Sequence, residues 1–387
     1  MNVQSPRFPL FDSLRAVAAG SVLLFHVAFF LGTFTKPGWG RYLTQLNIGV
    51  PIFFLISGFL LYRPFAAARH ARARLPAVGP YAIRRIFRIG PAYWVALPIV
   101  ALLIDLDAVF DDPLPYFGFV QAYDRHTLVG GYGIAWTLCV EVSFYALLPV
   151  WALAMRRLPN RSARQFALSE LVPLAAIFAF GVAWNVVQTQ TSHGYVLFTP
   201  ETATLPAFLD HFALGMGLAV ASVALADRER QPRAVMLIHR APWLPWAVAV
   251  VGWVVLCNVG GGRGSTASAA HALAAPLPAG ETARHVLRGF VALAVLLPAV
   301  FGDSAGGWVR RLLADRRLQW LGLISYSLYL WHAAIIQKLT TSGWSDTLGG
   351  VPFAFIAILI CIAVAAVSFY LVERPALRIG RALAGRL

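Results

Sequence analysis

A histidine and a carboxylate within apolar segments are the side chains of this chain best suited to proton transfer. His26 lies in FDSLRAVAAGSVLLFH, and Glu141 lies in WTLCVEVSFYALLP. An imidazole and a carboxylate at one level supply general-base chemistry, in which the carboxylate orients the ring or balances its charge. Ionisable groups inside a membrane cost about 2.5–3.5 kcal/mol each and normally face the bundle interior. We therefore expect His26 and Glu141 to be catalytic.

A group of arginines in YAIRRIFRIGPAYW is suited to binding phosphate. This arginine cluster, as we call it, consists of Arg84, Arg85 and Arg88. Planar guanidinium forks match phosphate oxygens, and a spacing of three residues puts Arg85 and Arg88 on one helix face. Arginines also occur in the other inner connections, where membrane topology alone explains them. The shared face favours a phosphate-binding site.

The first apolar segment carries two further charges before His26. Asp12 and Arg15 form an i,i+3 pair, and Arg15 and His26 are three helical turns apart on the same face. The face runs from an ion pair to an imidazole about 16 Å away, which indicates a lined path. An arginine that reaches the membrane surface with Asp12 as its partner explains Arg15 as well. We include Asp12 and Arg15 among the candidate catalytic residues.

The bulk composition indicates which elements position these residues. Of 387 residues, 59% are hydrophobic and 13% are charged, whereas a soluble domain has about 25% charged residues. The apolar residues form runs of about 20, the length of a helix that crosses about 30 Å of hydrocarbon. Such continuous runs favour helices over a β-barrel. The chain is therefore predicted to be an all-α polytopic membrane protein.

The net charge of +15 invites an interpretation as a nucleic-acid-binding protein. The basic residues, however, occur in short clusters between apolar runs, as the positive-inside rule predicts. We therefore expect membrane lipid, and no nucleic acid, as a partner. The cysteines Cys139, Cys257 and Cys361 lie in apolar runs without metal or disulfide spacing, so no metal site is expected.

Ten spans are predicted within a single transmembrane domain that covers residues 1–387. We find no internal repeat and expect no appended soluble domain. The first span is expected to stay uncleaved, because no cleavage site follows it. The spans lie near residues 10–31, 46–63, 89–105, 134–155, 169–187, 205–226, 242–259, 284–302, 319–338 and 351–373.

The arginine-rich connections set the predicted orientation. Most of the 32 basic residues lie on one side of the membrane, and the positive-inside rule makes that side cytoplasmic. The even number of spans then puts both termini in the cytoplasm. The loops at 106–133, 188–204 and 260–282 are expected outside.

Counting along the predicted helices places ionisable groups of four spans at a similar depth. His26 lies about 24 Å and His332 about 20 Å from the inner ends of their spans. Glu141 lies about 10 Å, and Asp210 with His211 about 8–9 Å, below the outer ends of theirs. Asp210 with His211 is equally compatible with a helix–helix contact, and His332 with an interfacial residue. The shared depth favours a site that includes His26 and Glu141.

Six motifs follow one another over nearly the whole chain. They are FDSLRAVAAGSVLLFH, PIFFLISGFLLYRPF, RRIFRIGPAYW, WTLCVEVSFYALLP, ISYSLYLWH and FYLVERPALR. The first combines Arg15 and His26, with ten residues between them and Asp12 ahead, and the third contains the Arg-x-x-Arg pattern of Arg85 and Arg88. In this order they resemble the motifs of the acyltransferase-3 family of integral membrane O-acyltransferases.

The resemblance implies an acyl-CoA-dependent reaction in a bacterial plasma membrane. Family members move an acyl group, commonly acetyl from cytoplasmic acetyl-CoA, to a hydroxyl of a glycan, a lipid-linked sugar or a related small molecule. His26 is then the essential histidine, and Arg85 and Arg88 contact the CoA phosphates. Acyl-CoA is a donor substrate, so no permanently bound cofactor is implied. Some members end in an esterase-like domain without a counterpart here, which leaves open the acceptor's membrane face and the need for a separate partner protein.

The residues and the resemblance combine into one mechanistic hypothesis. The arginine cluster holds the CoA phosphates, the pantetheine arm passes Arg15, and the thioester reaches His26. His26, oriented by Glu141, acts as a general base on the acceptor hydroxyl or accepts the acyl group itself. The alternative is a transporter or flippase that uses the intramembrane His, Glu and Asp groups. The lack of broken helices in matching halves speaks against a transporter.

Overall fold

The computed structural model describes residues 8, 10–36, 38–191, 199–226, 231–258, 280–301 and 306–387. Within these ranges the chain is largely helical and contains no strand, which confirms the predicted all-α class. Two of the expected outer loops are described only in part, because residues 192–198 and 259–279 lie outside the described ranges.

Twenty α-helices follow one another in the described ranges. The first ten are α1 (Leu10–Phe30), α2 (Gly40–Thr44), α3 (Gly49–His70), α4 (Val78–Leu103), α5 (Ala108–Asp111), α6 (Pro113–Phe117), α7 (Arg125–Gly130), α8 (Trp136–Met155), α9 (Ala163–Thr191) and α10 (Pro200–Ala203). The other ten are α11 (Leu209–Ala224), α12 (Arg233–Arg240), α13 (Trp243–Asn258), α14 (Glu281–Val300), α15 (Gly307–Leu313), α16 (Arg316–Leu323), α17 (Ser325–Thr341), α18 (Trp344–Leu348), α19 (Gly350–Ser368) and α20 (Arg374–Ala384). Short 3-10 turns precede α3 and α11 at Gln45–Ile48 and Leu205–Phe208.

Eight helical stretches in the described ranges are long and apolar enough to cross a membrane. A ninth is added if α12 and α13, which meet at 95°, count as one span. All ten predicted spans coincide with helices. The difference in number arises because α13 and α17 have only 16 and 17 residues, about 24 and 25 Å of helix, and are preceded by the separate short helices α12 and α16.

The start of α4 differs most from its predicted boundary. The helix begins at Val78, eleven residues before the predicted start of the third span, and Pro80 lies in its first turn. Proline is tolerated there because the N–H that it lacks has no helical partner at that position. Arg85 and Arg88 therefore lie within the helix, about 10 and 15 Å from its beginning, rather than in the connection before it.

Glycines allow two pairs of helices to approach closely. A Cβ on Gly58 of α3 would lie 2.6 Å from the Phe212 carbonyl oxygen of α11, and a Cβ on Gly215 would meet the Leu55 backbone. A Cβ on Gly322 of α16 would likewise collide with the Asp12 carbonyl of α1. Small residues promote helix association in this way. The contacts fix α1 and α3, which carry much of the site described below.

Hydrogen bonds define two ends of the bundle. Arg72, after α3, donates to the carbonyl oxygens of Asn160 and Arg161 between α8 and α9. The arginine-rich connections thus meet where α1 and α4 begin, and we call this the basic end. At the opposite end, the loop end, the Thr189 and Thr282 hydroxyls are 3.3 Å apart. They join the end of α9 to the start of α14.

Candidate active site

A cavity of about 220 Å³ lies between α1, α3, α4, α8 and α17. We call it the arginine cavity. Arg15, Arg85, Arg88 and Glu141 all line it. Four of the seven predicted site residues are thus brought together from three helices.

Arg15 forms the ion pair that its spacing predicts. Its Nη1 lies 2.7 Å from Asp12 Oδ1, and both side chains are partly exposed. Arg15 lines the cavity, whereas Asp12 is not part of the lining. Asp12 therefore acts on the cavity through the guanidinium that it holds.

Arg88 is paired with a carboxylate from the far end of the chain. Its Nη1 lies 2.5 Å from Glu373 Oε1, and Ser327 Oγ donates to Glu373 Oε2 at 2.8 Å. The guanidinium also lies over the Tyr326 ring, 5.6 Å from its centroid. Glu373 is 1% exposed and ends a π-helical turn, a feature often found at functional sites. Glu373 lies in the motif FYLVERPALR, but the sequence alone indicates no role for it.

Arg85 has no carboxylate partner among the described residues. Its guanidinium lies 6.0 Å from the Tyr81 ring and 5.6 Å from the Tyr145 ring, and its buried Nε makes no hydrogen bond there. Aromatic faces stabilise a cation without neutralising it. Arg85 therefore offers the arginine cavity a positive charge that no direct ion pair with a described carboxylate neutralises.

Arg84 differs from its neighbour. It is exposed and does not line the arginine cavity, because one residue along a helix turns the side chain by about 100°. Of the predicted arginine cluster, only Arg85 and Arg88 meet at this site.

Glu141 is held by two hydroxyl groups. Ser57 Oγ of α3 donates to Glu141 Oε1 at 2.8 Å, and Tyr145 OH, one turn along α8, donates to the same oxygen at 2.6 Å. These bonds fix the carboxylate in the cavity wall. Neither Ser57 nor Tyr145 was singled out as a site residue from the sequence.

His26 does not line the arginine cavity, and no described contact joins it to Glu141. Its Nδ1 lies 2.9 Å from the Val22 carbonyl oxygen and 3.1 Å from His332 Nε2. The two imidazole rings meet edge to face, with centroids 4.8 Å apart. The expected orientation of His26 by Glu141 is therefore replaced by contacts to His332 and the α1 backbone.

The hydrogen bonds assign the protons of the two neutral imidazoles. His332 Nδ1 lies 2.8 Å from the Tyr329 carbonyl oxygen. Because a carbonyl only accepts, His332 Nδ1 carries hydrogen and its Nε2 accepts. By the same reasoning, His26 Nδ1 donates to the Val22 carbonyl and faces the acceptor nitrogen of His332. The lone pair of His26 thus lies on Nε2, which has no hydrogen-bond partner in the described part of the chain and is free to take a proton.

Tyr329 lies between the arginine cavity and the histidine pair. It lines the cavity, and its ring centroid is 5.7 Å from that of His332. Its hydroxyl is 2.8 Å from the Ile134 carbonyl oxygen and 2.6 Å from Thr137 Oγ1. Tyr329 thus connects the wall of the arginine cavity with the histidine pair. The similar predicted depth of His26 and His332 was the sequence signal for the contact between these two histidines.

The family model described as the acyltransferase domain matches residues 9–372, which is nearly the whole chain. The chain belongs to the acyltransferase-3 family. It is therefore an acyltransferase, and its apolar helices agree with a family of membrane O-acyltransferases.

Several curated relatives of this acyltransferase match over most of its length. It is 26% identical to nodulation protein 10 of Rhizobium leguminosarum bv. viciae, over 97% of this chain and 95% of the relative. It is 28% identical to the exopolysaccharide production protein ExoZ of Rhizobium meliloti, over 90% and 96%. Peptidoglycan O-acetyltransferase OatA of Listeria monocytogenes is 24% identical over 95% of this chain, which spans 55% of OatA. No solved structure matches the chain significantly.

Proposed function

We propose that this acyltransferase moves an acetyl group from acetyl-CoA at the basic end to a hydroxyl of a glycan, a glycolipid or a related sugar-containing acceptor. Arg85 carries the proposal, because it is a cation without a carboxylate partner among the described residues and lines a cavity that also contains Glu141. The basic end faces the cytoplasm of a bacterial cell, as the positive-inside rule expects of arginine-rich connections. Both termini and the donor are then on the cytoplasmic side of the plasma membrane.

The donor is held by Arg85 in this proposal. Its guanidinium is free to form paired hydrogen bonds with a CoA phosphate. Arg88 already pairs with Glu373, and therefore adds a donor nitrogen to the site but little net charge. Arg15, closer to the start of α1, contacts the donor arm as it enters.

His26 carries out the proton transfer. Its Nε2 takes the proton of the acceptor hydroxyl while the oxygen attacks the thioester carbonyl, the carbon–sulfur bond breaks, and the proton passes to the departing CoA thiolate. His332 fixes the tautomer of His26 through the contact at Nδ1. An acyl-histidine intermediate on Nε2 is the second route. Glu141 keeps Ser57 and Tyr145 in place along the cavity.

The relatives support the acceptor class. ExoZ is named for exopolysaccharide production, and OatA is named a peptidoglycan O-acetyltransferase. Both names refer to glycans of the cell envelope or its surroundings. We therefore infer that the acceptor of this chain is also a glycan, without assigning a particular sugar.

The test is acyl transfer by purified protein in detergent. With radiolabelled acetyl-CoA and a glycan extract of the cell envelope, we expect label in the glycan fraction without any membrane gradient. His26→Ala should lower the transfer by about 10²–10⁴-fold, whereas replacement of His126, an exposed histidine of α7, by alanine should leave it unchanged. Transport that depends on a gradient, without acetylation, would instead support the transporter alternative.

A further inference from the structure

A second cavity, of about 380 Å³, opens at the loop end of the bundle. We call it the loop-end cavity. It lies between the ends of α3, α8, α9, α11 and α14, and none of the seven predicted site residues lines it. Its volume falls in the range of about 300–1,000 Å³ that is typical of ligand sites. No step of the proposed donor chemistry uses this space.

The lining of the loop-end cavity is rich in neutral groups that both donate and accept hydrogen bonds. Gln45, Asn47, Asn185 and Thr189 contribute amides and a hydroxyl. Amides and hydroxyls match the hydroxyl groups of a sugar, each of which also donates and accepts. Trp136 adds an aromatic ring to the wall, and an amphipathic ring of this kind packs against a sugar's C–H face.

The charges around the loop-end cavity are paired with one another. Glu281 lies 2.5 Å from Arg284 and 2.7 Å from Arg288, and Arg288 also donates to Gln45 Oε1 at 3.1 Å. Asp210 pairs with His285 at 2.9 Å. Each arginine thus has a carboxylate partner in Glu281, which favours an uncharged ligand over an anion.

Polar atoms in this wall remain without protein partners. His211 Nε2 lies 3.2 Å from the His285 carbonyl and therefore donates, which leaves Nδ1 as an acceptor. That nitrogen has no hydrogen bond in the described structure, although His211 is 1% exposed. Asn47 Oδ1 is likewise buried without a partner. Buried polar atoms of native proteins are nearly always satisfied, so these two atoms mark a part of the wall in which the described residues leave hydrogen bonds unmade.

His285 is held in one orientation towards the loop-end cavity. Its Nε2 lies 2.9 and 3.1 Å from the two oxygens of Asp210, and its ring stacks on His211 with centroids 4.3 Å apart. Because Nε2 donates to the carboxylate, Nδ1 carries the lone pair. A ligand hydroxyl can donate to that nitrogen.

The two cavities are separated by a thin wall. Val50 lines both. Phe54 lines the arginine cavity and Phe208 the loop-end cavity, and their ring centroids are 5.1 Å apart. Trp136 lines the loop-end cavity, and the next residue, Thr137, lines the arginine cavity.

We propose that the loop-end cavity binds the acceptor as an uncharged sugar, with one hydroxyl hydrogen-bonded to Nδ1 of His285. That the bound sugar is the acceptor rests on the proposed acyl-transfer function, whereas binding of a neutral sugar does not. A divalent cation is the competing ligand, because Asp210, His211 and His285 offer ligand atoms within 4.8 Å of one another. Nε2 of His285 donates to Asp210 and Nε2 of His211 donates to the His285 carbonyl. Because a nitrogen that carries hydrogen has no lone pair for a metal, these hydrogen bonds favour the sugar.

Saturation-transfer NMR on the purified full-length protein tests the proposal. The probes are the methyl glycosides of glucose, galactose, mannose, rhamnose and N-acetylglucosamine, with methyl glucuronide as the charged comparison. We expect at least one neutral glycoside to bind and the glucuronide to bind more weakly. His285→Lys keeps a donor for Asp210 but has no atom that accepts a hydrogen bond, and should weaken binding about 3- to 10-fold.

Arg85→Ala is the matched control, because it alters the other cavity. It should leave glycoside binding unchanged and weaken binding of acetyl-CoA. Glycoside binding without acetyl-CoA binding would support the loop-end site while refuting the proposed donor. The proposal is overturned if none of the glycosides binds, if His285→Lys binds as the unaltered protein does, or if metal analysis finds a stoichiometric cation that His285→Lys loses.

Discussion

The arginine cavity and the loop-end cavity contain similar residue types but differ in how their charges are paired. In the arginine cavity, Arg88 and Arg15 have carboxylate partners and Arg85 has none among the described residues. In the loop-end cavity, both arginines share Glu281. The pairing of the cations, rather than their number, therefore distinguishes a place for an anion from a place for a neutral polar ligand. Under the proposed function, this difference gives the bundle a direction, with a charged donor at one end and an uncharged acceptor at the other.

The largest effect is expected at His26, which belongs to the lining of neither cavity. Replacing it with alanine removes the only base that we assign to the acceptor hydroxyl. Transfer from labelled acetyl-CoA should fall by about 10²–10⁴-fold, the usual contribution of general-base catalysis. Binding of acetyl-CoA and of glycosides should persist. A variant that folds, binds both ligands and transfers at the normal rate would refute the assigned chemistry.

Removal of Arg85 tests the anionic side of the comparison. A hydrogen bond to a charged group is worth about 1.5–3 kcal/mol, so Arg85→Ala should weaken binding of acetyl-CoA about 10- to 100-fold. Calorimetry of the purified variant measures the change. Dephospho-CoA, which has fewer phosphates than CoA, serves as the comparison ligand. An unchanged affinity for acetyl-CoA would remove the basis for placing the donor in this cavity.

Loss of Glu281 should make the loop-end cavity resemble the arginine cavity. Glu281→Gln leaves Arg284 and Arg288 without their shared carboxylate. Methyl glucuronide should then bind about tenfold more tightly, as expected for one charge-assisted hydrogen bond, while neutral glycosides bind as before. Thermal unfolding of the variant checks that the fold is kept. Equal affinities for glucuronide in both proteins would contradict the role given to charge pairing.

The smallest effect is expected at Arg84. It neighbours Arg85 in the chain but is exposed outside the cavity. Surface substitutions usually change stability by less than about 0.5 kcal/mol, and we expect Arg84→Ala to alter acetyl-CoA affinity by less than about threefold. Calorimetry of Arg84→Ala and Arg85→Ala in parallel gives the ratio of their affinities for acetyl-CoA. If Arg84→Ala lowered the affinity for acetyl-CoA as much as Arg85→Ala does, Arg84 would have to be assigned to the donor site.

Local spacing in the sequence was sufficient for several features of the site. The Asp12–Arg15 ion pair follows from an i,i+3 spacing, and the common face of Arg85 and Arg88 follows from the same helical geometry. The ten apolar segments all proved to be helices. The start of α4 was misplaced because a polar, arginine-rich first half hides a helix from a search for apolar runs.

The sequence by itself determined an all-α chain with apolar helices, the acyltransferase-3 motifs and the helix faces that carry Arg15, His26, Arg85 and Glu141. Only the tertiary structure decided which partners these residues have. His26 meets His332 across 306 positions, and Arg88 meets Glu373 across 285. In a membrane bundle, both the lipid-facing and the packed faces of a helix are apolar, so hydrophobic patterning does not reveal which helices touch. Close packing at positions such as Gly58 and Gly322 makes that choice, and with it the separation of a charged cavity from a neutral one.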